Sequence, residues 1–271
     1  MDGMTLSAAR TEVVLERLGL GSPPAADLDG LRDLYLRWCR SVPFDNVRKL
    51  IALRSGGSGP LPGMDPDDFF AAWLTHGTGG TCWPSAAALD ALLRACGFDS
   101  RLVAASMADT GVASHGTTVV RLEGGDWLVD SSMLTEVPVR LSATEATATG
   151  HAVLPTTAEP VDEGWLMTFP QASSNSTILC RTISPDAFSH ERCVERYEVS
   201  REASPFNADL RARRNTPEGV VTIGGSTRYQ RTAGGLTEQP LDAEARRVAL
   251  VADTGLSEEI IDRVLEVLDR P

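Results

Sequence analysis

The stretch GTGGTCWPSAAALDALLRACGF, residues 77–98, places a lone cysteine, Cys82, directly after a glycine-rich turn and directly before a helical pattern. The glycines at positions 77, 79 and 80 permit positive φ angles and close backbone approach, so we expect a sharp bend that presents Cys82 in the first turn of the helix. Unpaired amide groups and the positive end of the helix dipole stabilise a thiolate at such a position. The alternative is a small buried cysteine that only packs the turn.

The residues on the amino-terminal side of this stretch predict helices. Apolar residues recur at helical spacing near the amino terminus, Asp27 is placed to cap a second helix, and Asp65 is placed to cap a third. A glycine-rich linker, RSGGSGPLPG at residues 54–63, separates the second helix from the third. We therefore predict a helical domain over residues 1–100, which includes Cys82.

The residues on the carboxyl-terminal side predict a sheet and then helices. Short β-branched segments separated by turn residues, from SRLVAASM to RYEVS, predict antiparallel strands over residues 101–205. A final hairpin, VVTIGGSTRYQRT, and two helices separated by Gly255, the second capped by Ser257, follow within residues 206–271. The chain is therefore predicted to have an α+β fold in three parts.

Composition argues against several classes of function. The 271 residues are 42% hydrophobic and 23% charged, as in ordinary globular proteins, and the formal net charge of -12 opposes binding to nucleic acid or anionic membranes. Five cysteines without CxxC pairs or a Cys/His array indicate neither a disulfide framework nor a metal site. With no signal-peptide pattern and no apolar run of ~20 residues, we expect a cytoplasmic protein.

A nucleophilic cysteine needs a base and a group that orients the base. His115 begins the strand pattern HGTTVVRL, and Asp130 ends the strand pattern WLVD after the turn EGGD. If Leu122 pairs with Trp127, the two side chains fall on the same face but ~13 Å apart, so their contact requires a bulge or a turn shifted toward Arg121. His76, in the loop before the glycines, is a second candidate base.

Seven short features stand in order along the chain: PFDN at 43–46, GGTCW at 79–83, GFDSRLV at 97–103, His115 at the start of a strand, WLVD at 127–130, SPFN at 204–207 and TPEG at 216–219. Together they resemble the arylamine N-acetyltransferase family over nearly the whole chain. The resemblance implies a helical first domain, a β-barrel second domain and an α/β third domain that acts as a lid. It also implies a Cys-His-Asp triad, as in papain-like and transglutaminase-like enzymes, matching Cys82, His115 and Asp130.

The chain departs from the usual family pattern beside this triad. Thr78 and Pro84 stand where the family usually has an arginine and a glutamate around the cysteine, and Asp45 replaces the glutamate of the family's first motif. After Asp130 the chain has Ser-Ser-Met-Leu, residues 131–134, where the family usually has Val-Gly-Phe-Gly. The motifs therefore favour acyl-cysteine chemistry and leave the acyl group, its donor and its acceptor open.

The resemblance implies an N-acyltransferase that forms an amide from an acyl thioester through an acyl-cysteine, with no tightly bound cofactor. The donor is acetyl-CoA or another acyl-CoA for a small amine acceptor, or an acyl carrier protein thioester if the chain is an amide synthase that releases or cyclises a polyketide or peptide. Arg211, Arg213 and Arg214 form a basic cluster that could hold the phosphates of either donor. The alternative is that these arginines form a solvated face of the protein. Phe44 and Trp83 are expected to line the acyl pocket or to pack the core.

Two other classes of function remain open from the sequence. The same order of cysteine, histidine and aspartate occurs in transglutaminase-like cysteine hydrolases, in which a peptide amide forms the acyl-enzyme. A binding homologue that keeps the three residues without turnover is the second class, because the residues around Cys82 differ from the family pattern.

Overall fold

The structure is a computed structural model that describes residues 5–183 and 187–269. The helices in these residues are α1 (Ala8–Arg17), α2 (Leu28–Ser41), α3 (Val47–Arg54), α4 (Pro66–His76), α5 (Cys82–Ala95), α6 (His190–Val199), α7 (Ala243–Thr254) and α8 (Glu258–Leu268). The strands are β1 (Phe44–Asp45), β2 (Asp99–Met107), β3 (His115–Leu122), β4 (Gly125–Val129), β5 (Val139–Leu141), β6 (Thr147–Ala148), β7 (Thr157–Val161), β8 (Gly164–Pro170), β9 (Thr177–Thr182), β10 (Arg211–Thr216), β11 (Gly219–Gly224), β12 (Thr227–Thr232) and β13 (Gly235–Pro240).

The amino-terminal helices share one hydrophobic core. The helices α1, α2, α4 and α5 bury large side chains against each other, among them Trp38, Phe70 and Leu92. The helices α2 and α4 begin at the predicted caps, because the carboxylates of Asp27 and Asp65 accept hydrogen bonds from amides of the first turn. The predicted helical region is confirmed.

The middle of the chain forms an antiparallel sheet that curls into a near-closed barrel. Its strand order is β5-β4-β3-β2-β9-β8-β7-β6, and β5 comes back into contact with β6 and β7. Val103, Val119, Met167 and Phe169 belong to the cluster that fills the barrel, because alternate residues of a strand face the same side. The helix α5 packs on β2 and β3, which brings Cys82 beside the barrel. The predicted β-barrel is confirmed.

The carboxyl-terminal part is α/β, as predicted, and it includes a piece of the amino-terminal region. Its sheet has the order β1-β10-β11-β12-β13; α7 packs on this sheet, and α8 packs on α3 and α7. Leu50 of α3 joins Leu250 and Ile261 in one hydrophobic cluster. Residues 44–54, which lie within the predicted first domain, therefore pack with the last one, and the boundaries of the three domains stay predictions.

One segment that the sequence pattern assigns to a strand is helical. RYEVS, residues 196–200, forms the end of α6 and the residue after it. The Ser189 hydroxyl caps this helix by accepting the Arg192 amide, and Cys193 and Tyr197 are buried on one face at a spacing of four residues. The strand assignment was wrong because this spacing and the cap outweigh the strand preference of Tyr197 and Val199.

Asn46 joins the amino-terminal region to the carboxyl-terminal sheet. Its buried side-chain amide donates to the carbonyl oxygens of Phe206 and Asp209 at 2.9 and 2.8 Å, and its Oδ1 accepts the Arg211 amide at 2.8 Å. Asn46→Ala leaves these groups unpaired, so we expect the free energy of unfolding to fall by about 3 kcal/mol. Urea unfolding followed by circular dichroism measures this change.

Arg32→Ala is the matched control for this experiment. It removes an exposed ion pair with Asp29 and should change the free energy of unfolding by less than about 0.5 kcal/mol. An Asn46→Ala variant as stable as this control would contradict the joining role of Asn46.

Candidate active site

Cys82 begins α5 at the end of the glycine turn, as the sequence predicts. Gly79 lies so close to Pro43 that an added Cβ would meet the Pro43 carbonyl oxygen at 1.8 Å, so only glycine fits this approach. Gly80 pairs with Phe44 as an isolated bridge. The strand β1 therefore fixes the turn that leads into Cys82.

The Cys82 side chain is largely covered. It keeps 9% of its surface, and its Sγ lies 3.9 Å from the carbonyl oxygen of Ser114. Phe188, which precedes α6, and Tyr197, which lies within α6, belong to the same apolar cluster. Part of the cover over Cys82 therefore comes from α6 and from Phe188, and the lid role that the resemblance implied for the carboxyl-terminal domain stays a prediction.

The side chains of His115 and Asp130 meet because the hairpin between them is tighter than expected. Leu122 pairs with Gly125, and not with Trp127, so the turn is two residues shorter. In this register Asp130 lies opposite Thr117, which is two residues from His115, and not opposite Val119, which is four residues away. Asp130 Oδ2 lies 2.7 Å from His115 Nε2. The expected register was wrong, and the turn is shifted toward Arg121, which is one of the two changes that the contact required.

Several hydrogen bonds hold Asp130. Its Oδ1 accepts from the Ser132 amide and hydroxyl, both at 3.0 Å, and from the Met133 amide at 2.7 Å. The Tyr35 hydroxyl donates to its main-chain oxygen at 2.8 Å. The segment 131–134, which departs from the usual family pattern, thus supplies groups that orient the carboxylate.

His115 and Asp130 form a buried ion pair. Burial raises the pKa of Asp130, but the charge and hydrogen bond of His115 and the amides of Met133 and Ser132 outweigh burial and lower this pKa to about 2. Burial lowers the pKa of His115, but the Asp130 charge outweighs it and holds this pKa well above its ordinary value. An imidazolium beside an ionised carboxylate is therefore the arrangement at neutral pH.

The Cys82 thiol is a further partner of the same imidazole. After burial and the Asp130 charge, hydrogen bonding to Cys82 also acts on the pKa of His115 and raises it. With Nε2 bound to Asp130, Nδ1 is the ring nitrogen left for the thiol. A thiol beside such an imidazole can exchange a proton with it, which is the first requirement of nucleophilic catalysis. His76, the second candidate base, instead contacts the Ser257 hydroxyl through Nδ1 at 3.1 Å.

The three arginines of the predicted basic cluster are not held together. Arg211 is exposed, and Arg213 and Arg214 lie on opposite faces of β10 because neighbouring strand residues alternate. Arg214 donates to the Arg40 carbonyl oxygen at 2.9 Å and so ties β10 to α2. Arg213 lies over the Phe44 ring, and its Nε and Nη2 groups are buried with no hydrogen-bond partner among the described residues. Strand alternation therefore divides the cluster that the sequence suggested.

Phe44 and Trp83 differ in how far they are buried. Trp83 is buried, lies 6.0 Å from the Phe188 ring, and is packed so closely on Gly116 that an added Cβ would meet it at 2.6 Å. Phe44 keeps part of its surface and packs edge-on against Phe206 at 5.1 Å between ring centres. Trp83 thus packs α5 on β3, and lining the acyl pocket stays a prediction for both aromatic residues.

The sequence pattern does not reveal several residues that shape this site. It marks Asp45 only as a departure from the family motif, yet Asp45 Oδ2 accepts the Gly79 amide at 2.6 Å. The Asp-x-Ser spacing is a signal for a side chain that binds within the following turn, so Ser132 could have been found. No local signal connects Tyr35 with Asp130, which lies 95 positions away.

No group of three or more His, Cys, Asp or Glu side chains within residues 5–183 and 187–269 is placed to hold a metal ion. No helix in the same residues has both the length and the apolar character needed to cross a bilayer.

Known protein sequences include relatives of this chain. A family model described as N-acetyltransferase matches residues 27–256. Proansamycin X synthase of Amycolatopsis mediterranei is 31% identical over 125 residues. That alignment covers 44% of this chain and 46% of the relative, so the chain matches about half the length of this curated protein.

Arylamine N-acetyltransferases of known structure share the fold. The enzyme of Mycobacterium smegmatis aligns with a TM-score of 0.79 at 20% identity, covering 95% of this chain and 98% of its own. The enzyme of Mycobacterium marinum in complex with CoA aligns with a TM-score of 0.78 at 19% identity, covering 94% of this chain and 98% of its own. At these identities the likeness establishes the fold alone.

We expect the His115 imidazole to titrate above neutral pH in the native chain and below neutral pH in Asp130→Asn. The variant lacks the charge that raises the pKa of His115, and the burial that lowers this pKa remains. Imidazole nitrogen NMR signals followed from about pH 5 to about pH 9 measure the change. Asp126→Asn, in the same hairpin, is the control and should leave the His115 titration unaltered.

The ion pair also defines a pH window for stability. The folded-state pKa of Asp130 is lowered, so its contribution is present above about pH 4 and is lost as the pH falls toward 2. The folded-state pKa of His115 is raised, so its contribution is full below about pH 6.5 and is lost as the pH rises through the raised value. Between these limits Asp130→Asn should lose about 3 to 5 kcal/mol. Equal free energies of unfolding at about pH 6 would contradict the ion pair.

Proposed function

We propose that this chain, which belongs to the arylamine N-acetyltransferase family, is an N-acyltransferase that forms an amide from an acyl thioester and an amine. The observation that carries the proposal is the association of Cys82, His115 and Asp130 in one buried site at the start of α5. The proposed roles are nucleophile for Cys82, base and acid for His115, and orienting carboxylate for Asp130.

In the proposed starting arrangement the proton of Cys82 is already on His115, which is an imidazolium, and in the first half-reaction the Cys82 thiolate attacks the thioester carbonyl carbon. A bond forms between Cys82 Sγ and the acyl carbon, the carbon–sulfur bond of the donor breaks, and the donor thiol leaves with the proton from His115. Asp130 keeps the imidazole oriented and stabilises its positive charge during this transfer. Free amides in the first turn of α5 are the donors available to the developing oxyanion.

In the second half-reaction an amine attacks the acyl-cysteine. The carbon–nitrogen bond forms, His115 accepts the amine proton, and Cys82 leaves as the thiolate, which restores the starting arrangement. The small exposed fraction of Cys82 limits the access of water, so it favours transfer to an amine over hydrolysis.

Two donors are compatible with this chemistry. The arylamine N-acetyltransferase of Mycobacterium marinum is known in complex with CoA, which supports an acyl-CoA as co-substrate. The similarity to proansamycin X synthase supports the second candidate, an amide synthase that releases or cyclises a polyketide or peptide chain from an acyl carrier protein. The segment 131–134 also favours the second candidate, because it surrounds Asp130 and differs from the usual family pattern.

Arg211 and Arg213 are the proposed donor-binding residues because they share one face of β10, next to Phe44 of β1. Arg211 is exposed and suits a phosphate of the donor. Burial lowers the pKa of Arg213 to about 10, and its unpaired Nε and Nη2 groups suit an oxygen atom of the acyl arm. Phe44 beneath it is the proposed wall of the acyl pocket. Arg214 is left out because it is bound to the main chain of α2.

The acyl-cysteine is the direct test of the proposed function. Acetyl-CoA, longer acyl-CoA thioesters and acyl-pantetheine thioesters are each mixed with the protein, and the mass of the intact chain is followed. We expect the native chain to gain one acyl group with at least one donor and Cys82→Ala to gain none. Amide formation by the variant should fall by a factor of about 10⁴ or more, because the nucleophile is gone.

The pattern of acylation also separates the alternatives. Rapid acylation by acetyl-CoA supports the acetyltransferase, and acylation by longer chains alone supports the amide synthase. Cleavage of peptides without any thioester favours a cysteine hydrolase, and a folded chain that no donor acylates favours an idle binding homologue. Either of these last two results contradicts the proposed function.

Arg211→Met tests the proposed phosphate contact. We expect KM for an acyl-CoA donor to rise about three- to tenfold with kcat nearly unchanged, because a contact outside the reacting atoms contributes equally to substrate and transition state. The effect should shrink at high salt. It should be absent with an acyl-pantetheine thioester, which carries no phosphate.

Arg32→Met removes another exposed arginine, on α2, and is the control for net charge. A KM that rises equally in the two variants, or equally for donors with and without phosphate, would show that Arg211 does not bind the phosphates.

A further inference from the structure

Asp45 holds the turn in front of Cys82 from a fully buried position. Its Oδ2 accepts the Gly79 amide at 2.6 Å, and its Oδ1 accepts the Val47 amide, at the start of α3, at 3.0 Å. The Asp45 amide in turn donates to the Gly80 carbonyl oxygen at 3.3 Å. One residue therefore joins α3, β1 and the glycine turn.

The glycine turn determines where the nucleophile lies. Thr81, between the turn and Cys82, does not cap α5 with its side chain, so the contacts of Gly79 and Gly80 are the fixed points in front of the helix. A shift of the turn moves the thiol relative to His115. Displacements of about 1 Å in such an arrangement can cost up to ~100-fold in rate.

We propose that Asp45 is a positioning residue: its ionised carboxylate holds the Gly79 amide and thereby keeps Cys82 within reach of His115. The proposal rests on the proposed role of Cys82 as nucleophile. Protonation turns one carboxylate oxygen into an O–H donor, so the neutral acid keeps one good acceptor for two amides. The alignment of the site therefore depends on the charge of Asp45.

The surroundings of Asp45 bring its titration close to neutral pH. Burial raises the pKa of Asp45 to about 6, although the Gly79 and Val47 amides and the charge of Arg48 act to lower it. The titratable and charged groups that face it are Arg48 and Lys49 from α3 and Tyr197 from α6. Both cations have other partners, because the Arg48 guanidinium binds the Asp68 carboxylate and the Lys49 ammonium binds Ser200.

Activity and stability should respond to this proton in opposite directions. The folded-state pKa of Asp45 lies above that of an unfolded aspartate, so protonation stabilises the fold as the pH falls from about 7 to about 4. The same proton weakens the hold on the turn and lowers the reactivity of Cys82. If Asp45 only supported the fold, its protonation would change the reactivity of Cys82 and the stability of the protein in the same direction.

Asp45→Asn tests the proposal with a side chain of the same shape that does not ionise. In the native chain we expect the rate of Cys82 alkylation by iodoacetamide, read by peptide mapping, to fall below an inflection near pH 6. In the variant this inflection should be absent, and the rate above pH 7 should be about tenfold lower. The melting temperature at pH 7 should stay within about 3 °C of the native value, because a buried charge is removed together with a hydrogen bond.

Two further variants make the test specific. Asp45→Glu keeps an ionisable carboxylate, so the inflection should persist even where the plateau rate falls. Asp90→Asn removes another buried carboxylate whose pKa is raised by burial, but Asp90 binds Ser100 and Arg94 and not the turn. The alkylation profile of Asp90→Asn should match that of the native chain.

The proposal is overturned if Asp45→Asn keeps the native inflection and plateau, or if its rate and its melting temperature fall together. If Asp45→Asn does not fold, the Asp45→Glu profile decides, and loss of the inflection there overturns the proposal. Alkylation of Cys82 needs no acyl donor. A failure of the proposed function therefore shows as absent acyl transfer, while the alkylation profiles still test Asp45.

Discussion

The buried contact between His115 and Asp130 is the interaction on which the rest of the site depends. Two charges removed from water cost several kcal/mol each unless other groups replace the water, and here an imidazolium, two amides and a hydroxyl surround the carboxylate. The Tyr35 hydroxyl ties the same residue to α2. Neither charge is therefore stable until three parts of the fold are assembled: the barrel, the segment 131–134 and the helical region. The site thus depends on the whole fold.

Features encoded by neighbouring residues could be predicted from the sequence. The caps at Asp27, Asp65 and Ser257 act within their own helix, so these helices begin where the sequence indicates. The alternation of strand residues placed His115 and Asp130 on one face correctly. The distance between them could not be predicted from alternation, because it depends on the length of the turn. A turn shorter by two residues leaves both side chains on the same face but brings Asp130 closer to His115 along the strands.

Features that depend on distant residues could not be predicted in the same way. Residues 211–214 look like one basic cluster in the sequence. Because β10 lies between β1 and β11 in a sheet, its neighbouring side chains point to opposite faces, and the arginines are separated. The RYEVS segment is helical because Cys193 and Tyr197 pack in an apolar cluster with residues of other elements. Asp45 gains its role from Gly79, which is close in space and 34 positions away in sequence.

Under the proposed function, the cover over Cys82 constrains which part of a donor can reach the thiol. The helix α6 is bound on several sides: the Arg196 guanidinium donates to the Ala113 carbonyl oxygen at 2.8 Å, and the Glu198 carboxylate accepts the Leu61 amide at 2.6 Å. A thiol that keeps 9% of its surface under such a helix admits a slender chain more readily than a bulky group. Coenzyme A and an acyl carrier protein both present their thioester on a pantetheine arm of this kind. The groups that distinguish the two donors would therefore remain outside the cover, so the exposed surface, and not the triad, must select between them.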